Sequence, residues 1–64
     1  MENENKVGKE FTVCATQEDY TVLEQSEQGY LLVQNSAFRR AQMAVAKDLI
    51  HISEIDGVYA KWHQ

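Results

Sequence analysis

Residues 36–55 read SAFRRAQMAVAKDLIHISEI, and this stretch decides the fold because no other part of the chain is long enough for a substantial helix. Ala, Arg, Gln, Met, Lys and Leu favour helix formation, and Asn35 or Ser36 can cap the first turn with a side-chain oxygen. Helical winding places five apolar side chains on one arc: Phe38, Ala41, Val45, Leu49 and Ile52. We therefore predict an amphipathic helix that docks through this arc.

The segments before this helix alternate with a period of two, which is typical of half-buried strands. Phe11 and Val13 alternate with polar neighbours, residues 20–24 are β-branched and aromatic, and residues 30–34 follow a turn that contains Gly29. A glycine suits the left-handed position of such a turn. The predicted fold is α+β, a three-stranded antiparallel meander covered by the helix, with a fourth strand over 58–62. Residues 1–8 form a flexible N-terminal tail, and 9–64 form one small domain.

An all-β fold is the alternative. Residues 49–55 contain three isoleucines, a composition that favours a strand. Asp56-Gly57 is a strong hairpin signal between two such segments. On this interpretation the helix stops near Lys47 or does not form, and the chain closes as a barrel that resembles small SH3-like modules. The sequence leaves open whether residues 49–55 are helix or strand.

The length and composition limit the class of protein. A 64-residue chain has a small core that rarely contributes more than about 3–5 kcal/mol. Its single cysteine cannot form an intramolecular disulfide, and no Cys/His spacing fits a zinc finger. We therefore expect self-association, as a homodimer, to add stability. No apolar run approaches membrane-spanning length, the N-terminal residues are polar, and the lone cysteine favours the cytoplasm.

Charge is divided unequally along the chain. Residues 1–30 carry two lysines against seven carboxylates, a net charge of −5, whereas residues 31–64 carry +1. The overall charge of −4 argues against a protein built to coat a phosphate backbone. Four carboxylates fall in or beside two turns of the predicted sheet and could form a negative edge: Glu18, Asp19, Glu24 and Glu27.

The second face of the predicted helix mixes basic and apolar side chains, a combination found at protein interfaces. We predict that this face, with Trp62 as an anchor, binds a partner through six residues: Arg39, Arg40, Met43, Lys47, Ile50 and Trp62. The expected function is a non-enzymatic, protein-binding regulatory or accessory module whose partner is unidentified. The alternative is a nucleic-acid-binding module that uses Arg39, Arg40 and Lys47, which the net charge disfavours.

No catalytic signature accompanies these features. A nucleophilic Cys14 would need a base within hydrogen-bond reach, and only His51 and His63 are candidates in the sequence. These two histidines, with Asp48, Glu54 or Asp56, are too few and too mixed to indicate a metal site. Three separated glycines cannot cradle a nucleotide. We therefore expect no catalytic, metal or cofactor site, and no membrane association.

Overall fold

The structure, a computed structural model, describes residues 5–63 and consists mostly of one antiparallel sheet that curls into a half-barrel. The strands are β1 (Glu10–Val13), β2 (Glu18–Gln25), β3 (Tyr30–Asn35), β4 (Asp48–His51) and β5 (Ala60–Trp62). A short helix α1 (Ser36–Arg40) follows β3, and a 3-10 turn (Ile52–Glu54) follows β4. The spatial order is β4-β3-β2-β1-β5, so β4 and β5 form the two edges of the sheet.

The core lies on the inner face of this curled sheet. Phe11 is 1% exposed, and its ring stacks on Tyr20 and meets Trp62 edge-on, with centroid distances of 5.7 Å in both cases. Alternate residues of the strands, joined by Ile55, complete the buried apolar cluster: Val13, Val22, Leu31, Val33 and Ala60. The period-two pattern thus identified the inward side chains of β1 correctly.

The predicted α+β fold is wrong because the helix is only five residues long. Asn35 does cap it, accepting from the N–H of Phe38 at 3.1 Å, but the chain leaves the helix after Arg40, and Gln42 takes a φ of +59°. Short helices depend on tertiary packing, and the pairing of residues 48–51 with β3 outweighs the helix propensity of the segment.

The predicted docking arc is therefore also wrong. Phe38 and Leu49, which a covering helix would bury, are 41% and 66% exposed. Leu49 belongs to β4 and Ile52 begins the 3-10 turn, where it is half-buried. The strand alternative for residues 49–55 thus holds for its first part only, because β4 ends at His51 and the 3-10 turn Ile52–Glu54 follows.

The structure agrees with the all-β alternative in class but differs from it in two details. Asp56-Gly57 does not join a hairpin, because β4 pairs with β3 and β5 pairs with β1. The Asp56 carboxylate instead accepts from the N–H groups of Val58 and Tyr59, at 2.8 and 3.0 Å, and orders the approach to β5. Within residues 5–63, β4 and β5 are not hydrogen-bonded to each other, so the barrel is not closed.

The structure also describes part of the predicted N-terminal tail and the predicted turn at Gly29. Of the predicted tail 1–8, residues 1–4 lie outside the described residues, while the N–H of Gly8 donates to the carbonyl of Val22 on β2 at 2.9 Å. Gly29, in the turn between β2 and β3, takes a φ of +92°, as expected for that position. No helix within the described part of the chain is long and apolar enough to cross a membrane.

Candidate functional site

The six residues predicted to bind a partner do not share a helix face. Arg39 and Arg40 end α1, whereas Met43 (53% exposed) and Lys47 lie in the irregular segment before β4. The helical surface on which the prediction depended is therefore absent. Whether these residues contact a partner remains a prediction.

The remaining members of that set have structural contacts. Ile50 on β4 is half-buried and packs against the core, as does Trp62 on β5. The Nζ atom of Lys6 lies 5.0 Å from the centroid of the Trp62 ring. A guanidinium nitrogen of Arg40 lies 3.7 Å from a carboxylate oxygen of Glu10. Trp62 and Ile50 thus contribute to the fold, which leaves Met43 and the cations as the exposed members.

The β4 edge, by which we mean the hydrogen-bonding edge of Asp48–His51 that faces away from β3, is open at its centre. Hydrogen-bonded and non-bonded pairs alternate along an antiparallel ladder. The N–H of Ile52 donates to the carbonyl of Gly29 at 2.8 Å, so in the observed register Ile50 exchanges hydrogen bonds with Leu31. The N–H and C=O of Leu49 consequently point away from β3, toward the open edge.

The other edge of the sheet is better protected. The N–H of Cys14 donates to the carbonyl of Tyr59, and the alternation along the ladder then directs the backbone groups of Ala60 and Trp62 to the outside. The carbonyl of Ala60 already accepts from the N–H of Gly57 at 2.8 Å. Very short edge strands and covered edge groups are common protections against pairing. On the β4 edge the N–H of His51 is likewise covered, since it donates to a carboxylate oxygen of Glu54 at 3.2 Å. The β4 edge is therefore open at Leu49, where both backbone groups point outward.

A concave, mainly apolar surface lies beside the β4 edge, and we call it the acidic groove. It has a volume of about 350 Å³, and Tyr59 lies on the side toward β5. Five apolar residues line it: Phe11, Val13, Val33, Leu49 and Ile50. Ligand pockets for small molecules usually range from roughly 300 to 1,000 Å³. The acidic groove is at the small end of this range and has room for a few side chains.

Two carboxylates, Glu18 and Asp48, line the same groove, and none of its lining residues is basic. In the ladder, Glu18 stands opposite the inward-facing Val13, and Asp48 stands opposite the inward-facing Val33. Both carboxylates therefore project on the inner face. Burial raises the pKa of Tyr20, and the negative charges of Glu18 and Asp48 raise it further. The groove is thus apolar along its floor and negatively charged at its rim.

A second polar cluster lies on the opposite face of β1. The hydroxyl of Thr12 donates to Asp19 Oδ1 at 2.6 Å and lies 2.6 Å from His63 Nε2. Because the hydroxyl proton is directed to Asp19, Nε2 of His63 is the donor to Thr12. The other ring nitrogen, Nδ1, lies 3.5 Å from a carboxylate oxygen of Glu10. This cluster attaches the residue that follows β5 to β1 and β2.

The hydrogen bond from Thr12, and then the charge of His63, lower the pKa of Asp19 below its ordinary value of 3.8. A lowered folded-state pKa stabilises the fold above the unfolded value, and this contribution is lost as the pH falls through the folded pKa. We expect Thr12→Val to raise the Asp19 pKa toward 3.8, and Thr12→Ser to keep it low. Carboxyl-carbon NMR titration measures both values, and an unchanged pKa in Thr12→Val would contradict the assignment.

Of the candidate catalytic residues, His51 is held by hydrogen bonds to the backbone on both sides of its ring. Nε2 of His51 donates to the carbonyl of Gln28 at 2.9 Å, and Nδ1 accepts from the N–H of Ser53 at 3.2 Å, so its ring joins the β2–β3 turn to the end of β4. Cys14 directly follows β1 and is half-buried. No group of three or more His, Cys, Asp or Glu residues able to hold a metal ion occurs among residues 5–63.

The sequence-based interpretation missed the β4 edge as a site, and it grouped two acidic residues that the structure separates. Glu18 and Asp19 were placed together in a possible negative edge, but they are consecutive in β2 and therefore lie on opposite faces. Glu18 lines the acidic groove, whereas Asp19 belongs to the Thr12 cluster. The alternation of Asp48, Leu49 and Ile50 was the available signal, and the helix prediction masked it.

Comparison of the chain with known protein families, with curated proteins and with solved structures finds no match in any of the three. The geometry of the β4 edge and the acidic groove is therefore the basis for a function.

Proposed function

We propose that this chain is a small protein-binding module, regulatory or accessory in role, that binds an extended segment of a partner protein at the β4 edge. The position of Leu49 is the observation that supports the proposal most directly. Its backbone N–H and C=O face outward by the register of the ladder, and its side chain is 66% exposed. Addition of a strand to an exposed sheet edge is a recurring mode of peptide recognition.

The chemistry of the edge favours a polypeptide over a nucleic acid. The outward N–H and C=O of Leu49 are complementary to the backbone of another chain, which supplies one acceptor and one donor at the matching spacing. The carboxylates of Glu18 and Asp48 beside the edge would repel phosphates, and the chain has a net charge of −4. The Arg40 cation that a nucleic acid would contact is near Glu10. These features support a protein partner, for which the cytoplasm remains our proposed compartment.

A second copy of this chain is a less suitable occupant of the β4 edge. Pairing of two β4 strands around Leu49 would place the Asp48 carboxylates of the two copies as diagonal neighbours, roughly 7–8 Å apart. Two carboxylates at this separation repel each other. The homodimer that the sequence suggested is therefore an alternative outcome of the experiment below and not its expected result.

Selection from a random peptide library tests the proposal, with Leu49→Pro as the decisive variant. Proline removes the outward N–H of Leu49, and proline is tolerated on edge strands where that N–H faces solvent. We expect selected peptides to lose about tenfold in affinity for Leu49→Pro, because one backbone hydrogen bond and the leucine side chain are lost. Isothermal titration calorimetry measures the affinity, and circular dichroism checks that the variant is folded.

Met43→Ala is the matched control, since Met43 is also an exposed apolar residue but lies outside β4. It should leave the affinity unchanged. Peptides that bind folded Leu49→Pro as tightly as the wild type, or that lose affinity for Met43→Ala instead, would place the site elsewhere. A doubling of the mass in analytical ultracentrifugation that Leu49→Pro abolishes would show that a second copy occupies the edge.

A further inference from the structure

We infer that the partner segment carries a lysine or arginine followed or preceded by two apolar residues, with the cation placed beside Asp48 and Glu18. This inference depends on the proposed binding at the β4 edge and specifies the chemistry of the segment. It follows from the faces on which three consecutive β4 residues project their side chains.

Two of the three residues of the partner segment would project on the inner face of the sheet. Residues directly opposite each other in a ladder project on the same face, so Asp48 and Ile50, which oppose the buried Val33 and Leu31, face inward. Glu18 lines the same groove as Asp48, so a long cationic side chain opposite Asp48 would extend along the groove toward the Glu18 carboxylate. A partner residue opposite Ile50 would meet the apolar part of the groove.

Glu18 and Asp48 have no basic partner among the residues that the structure describes. No ion pair between residues 5–63 engages Glu18 or Asp48, and the groove has no basic lining residue. The hydroxyl of Tyr20, 3.4 Å from a Glu18 oxygen, is the nearby polar group that Glu18 contacts. A cation at this position would therefore gain attraction from two carboxylates, and its alkyl stem would cover apolar surface.

The third residue of the partner segment would project on the outer face of the sheet. Leu49 opposes Leu32 on the outer face of the sheet, and Leu32 is half-buried whereas Leu49 is exposed. A partner residue opposite Leu49 would cover this leucine, and cross-strand pairs of apolar side chains stabilise sheets. The sequence of the partner segment should thus be cation, apolar, apolar, in either chain direction.

Two synthetic peptides that differ only in the sign of one charged residue test the inference. The first has Val-Val-Lys-Val-Val between terminal serines, and the second has glutamate in place of the lysine. We expect the lysine peptide to bind the wild-type chain about tenfold more tightly, because attraction to the two carboxylates becomes repulsion in the glutamate peptide. In the variant with Glu18→Gln and Asp48→Asn, the two affinities should differ by less than about threefold.

A variant with Glu10→Gln and Glu27→Gln is the matched control, because it removes the same number of charges and changes no residue that lines the acidic groove or the surface around Leu49. It should retain the tenfold preference. If the wild-type chain binds the two peptides with equal affinity and Leu49→Pro still weakens binding, the proposed preference for a cation is wrong. The proposed strand addition at the β4 edge would then remain. Failure of both peptides to bind would overturn the inference, and the library selection then decides separately whether the β4 edge binds any peptide.

Discussion

Phe11→Ala should leave the chain mostly unfolded at 25 °C. Phe11 is 1% exposed and its ring contacts those of Tyr20 and Trp62, so its removal leaves a cavity where three strands meet. Truncation of a buried phenylalanine costs about 3–5 kcal/mol. A core of this size rarely supplies more than about 3–5 kcal/mol in total. Urea denaturation followed by tryptophan fluorescence, together with the dispersion of amide NMR signals, measures the loss.

Phe38→Ala is the control for this prediction, since Phe38 is the other phenylalanine of the chain and is 41% exposed. We expect it to cost less than about 1 kcal/mol, as for other surface substitutions that remove little packing. A covering helix would give a large loss for Phe38→Ala as well, because Phe38 would be part of its docking arc. Similar losses of stability in the two variants would contradict the all-β fold.

Leu31→Ala should destabilise the chain by about 2–5 kcal/mol, and Leu49→Ala by less than about 1 kcal/mol. The two leucines lie on neighbouring strands, but Leu31 is 0% exposed and packs in the core whereas Leu49 is 66% exposed. The same atoms are removed in both variants, so the comparison reports burial alone. Denaturant midpoints at constant m-value give the two free energies of unfolding.

The opposite order of the two leucine variants is the result that would contradict the structure. It would mean that Leu49 is packed and that Leu31 is not, as on an amphipathic helix docked through Leu49. A large loss in both variants would mean that the β4 edge is buried, in which case a second copy covers it and the mass should fall when Leu49 is substituted.

The first half of the fold could be predicted from local sequence because its signals agree with one another. The alternation of Phe11 and Val13 identified the inward face of β1, and Gly29 identified a turn that requires a positive φ. Short-range periodicity and turn chemistry are sufficient for a meander, since each strand pairs with its neighbour along the chain.

The second half could not be predicted in the same way because long-range pairing determines it. Residues 41–47 have good helix propensity, but nothing local indicates that residues 48–51 pair with β3 or that residues 60–62 pair with β1. Tertiary contacts routinely override propensity in a short segment. The same error hid the candidate site, because Leu49 is a core residue on a helix and an exposed edge residue on a strand.

Amide hydrogen exchange at Leu49 and Ile50, measured by NMR with and without the lysine peptide, tests the open β4 edge most directly. Ile50 donates to β3 and Leu49 does not, so we predict that Leu49 exchanges at least about tenfold faster in the free chain. Saturation with the lysine peptide should slow the exchange of the Leu49 amide and leave the exchange of the Ile50 amide slow. Equal protection of the two amides in the free chain, or fast exchange of Leu49 at saturation, would contradict the account.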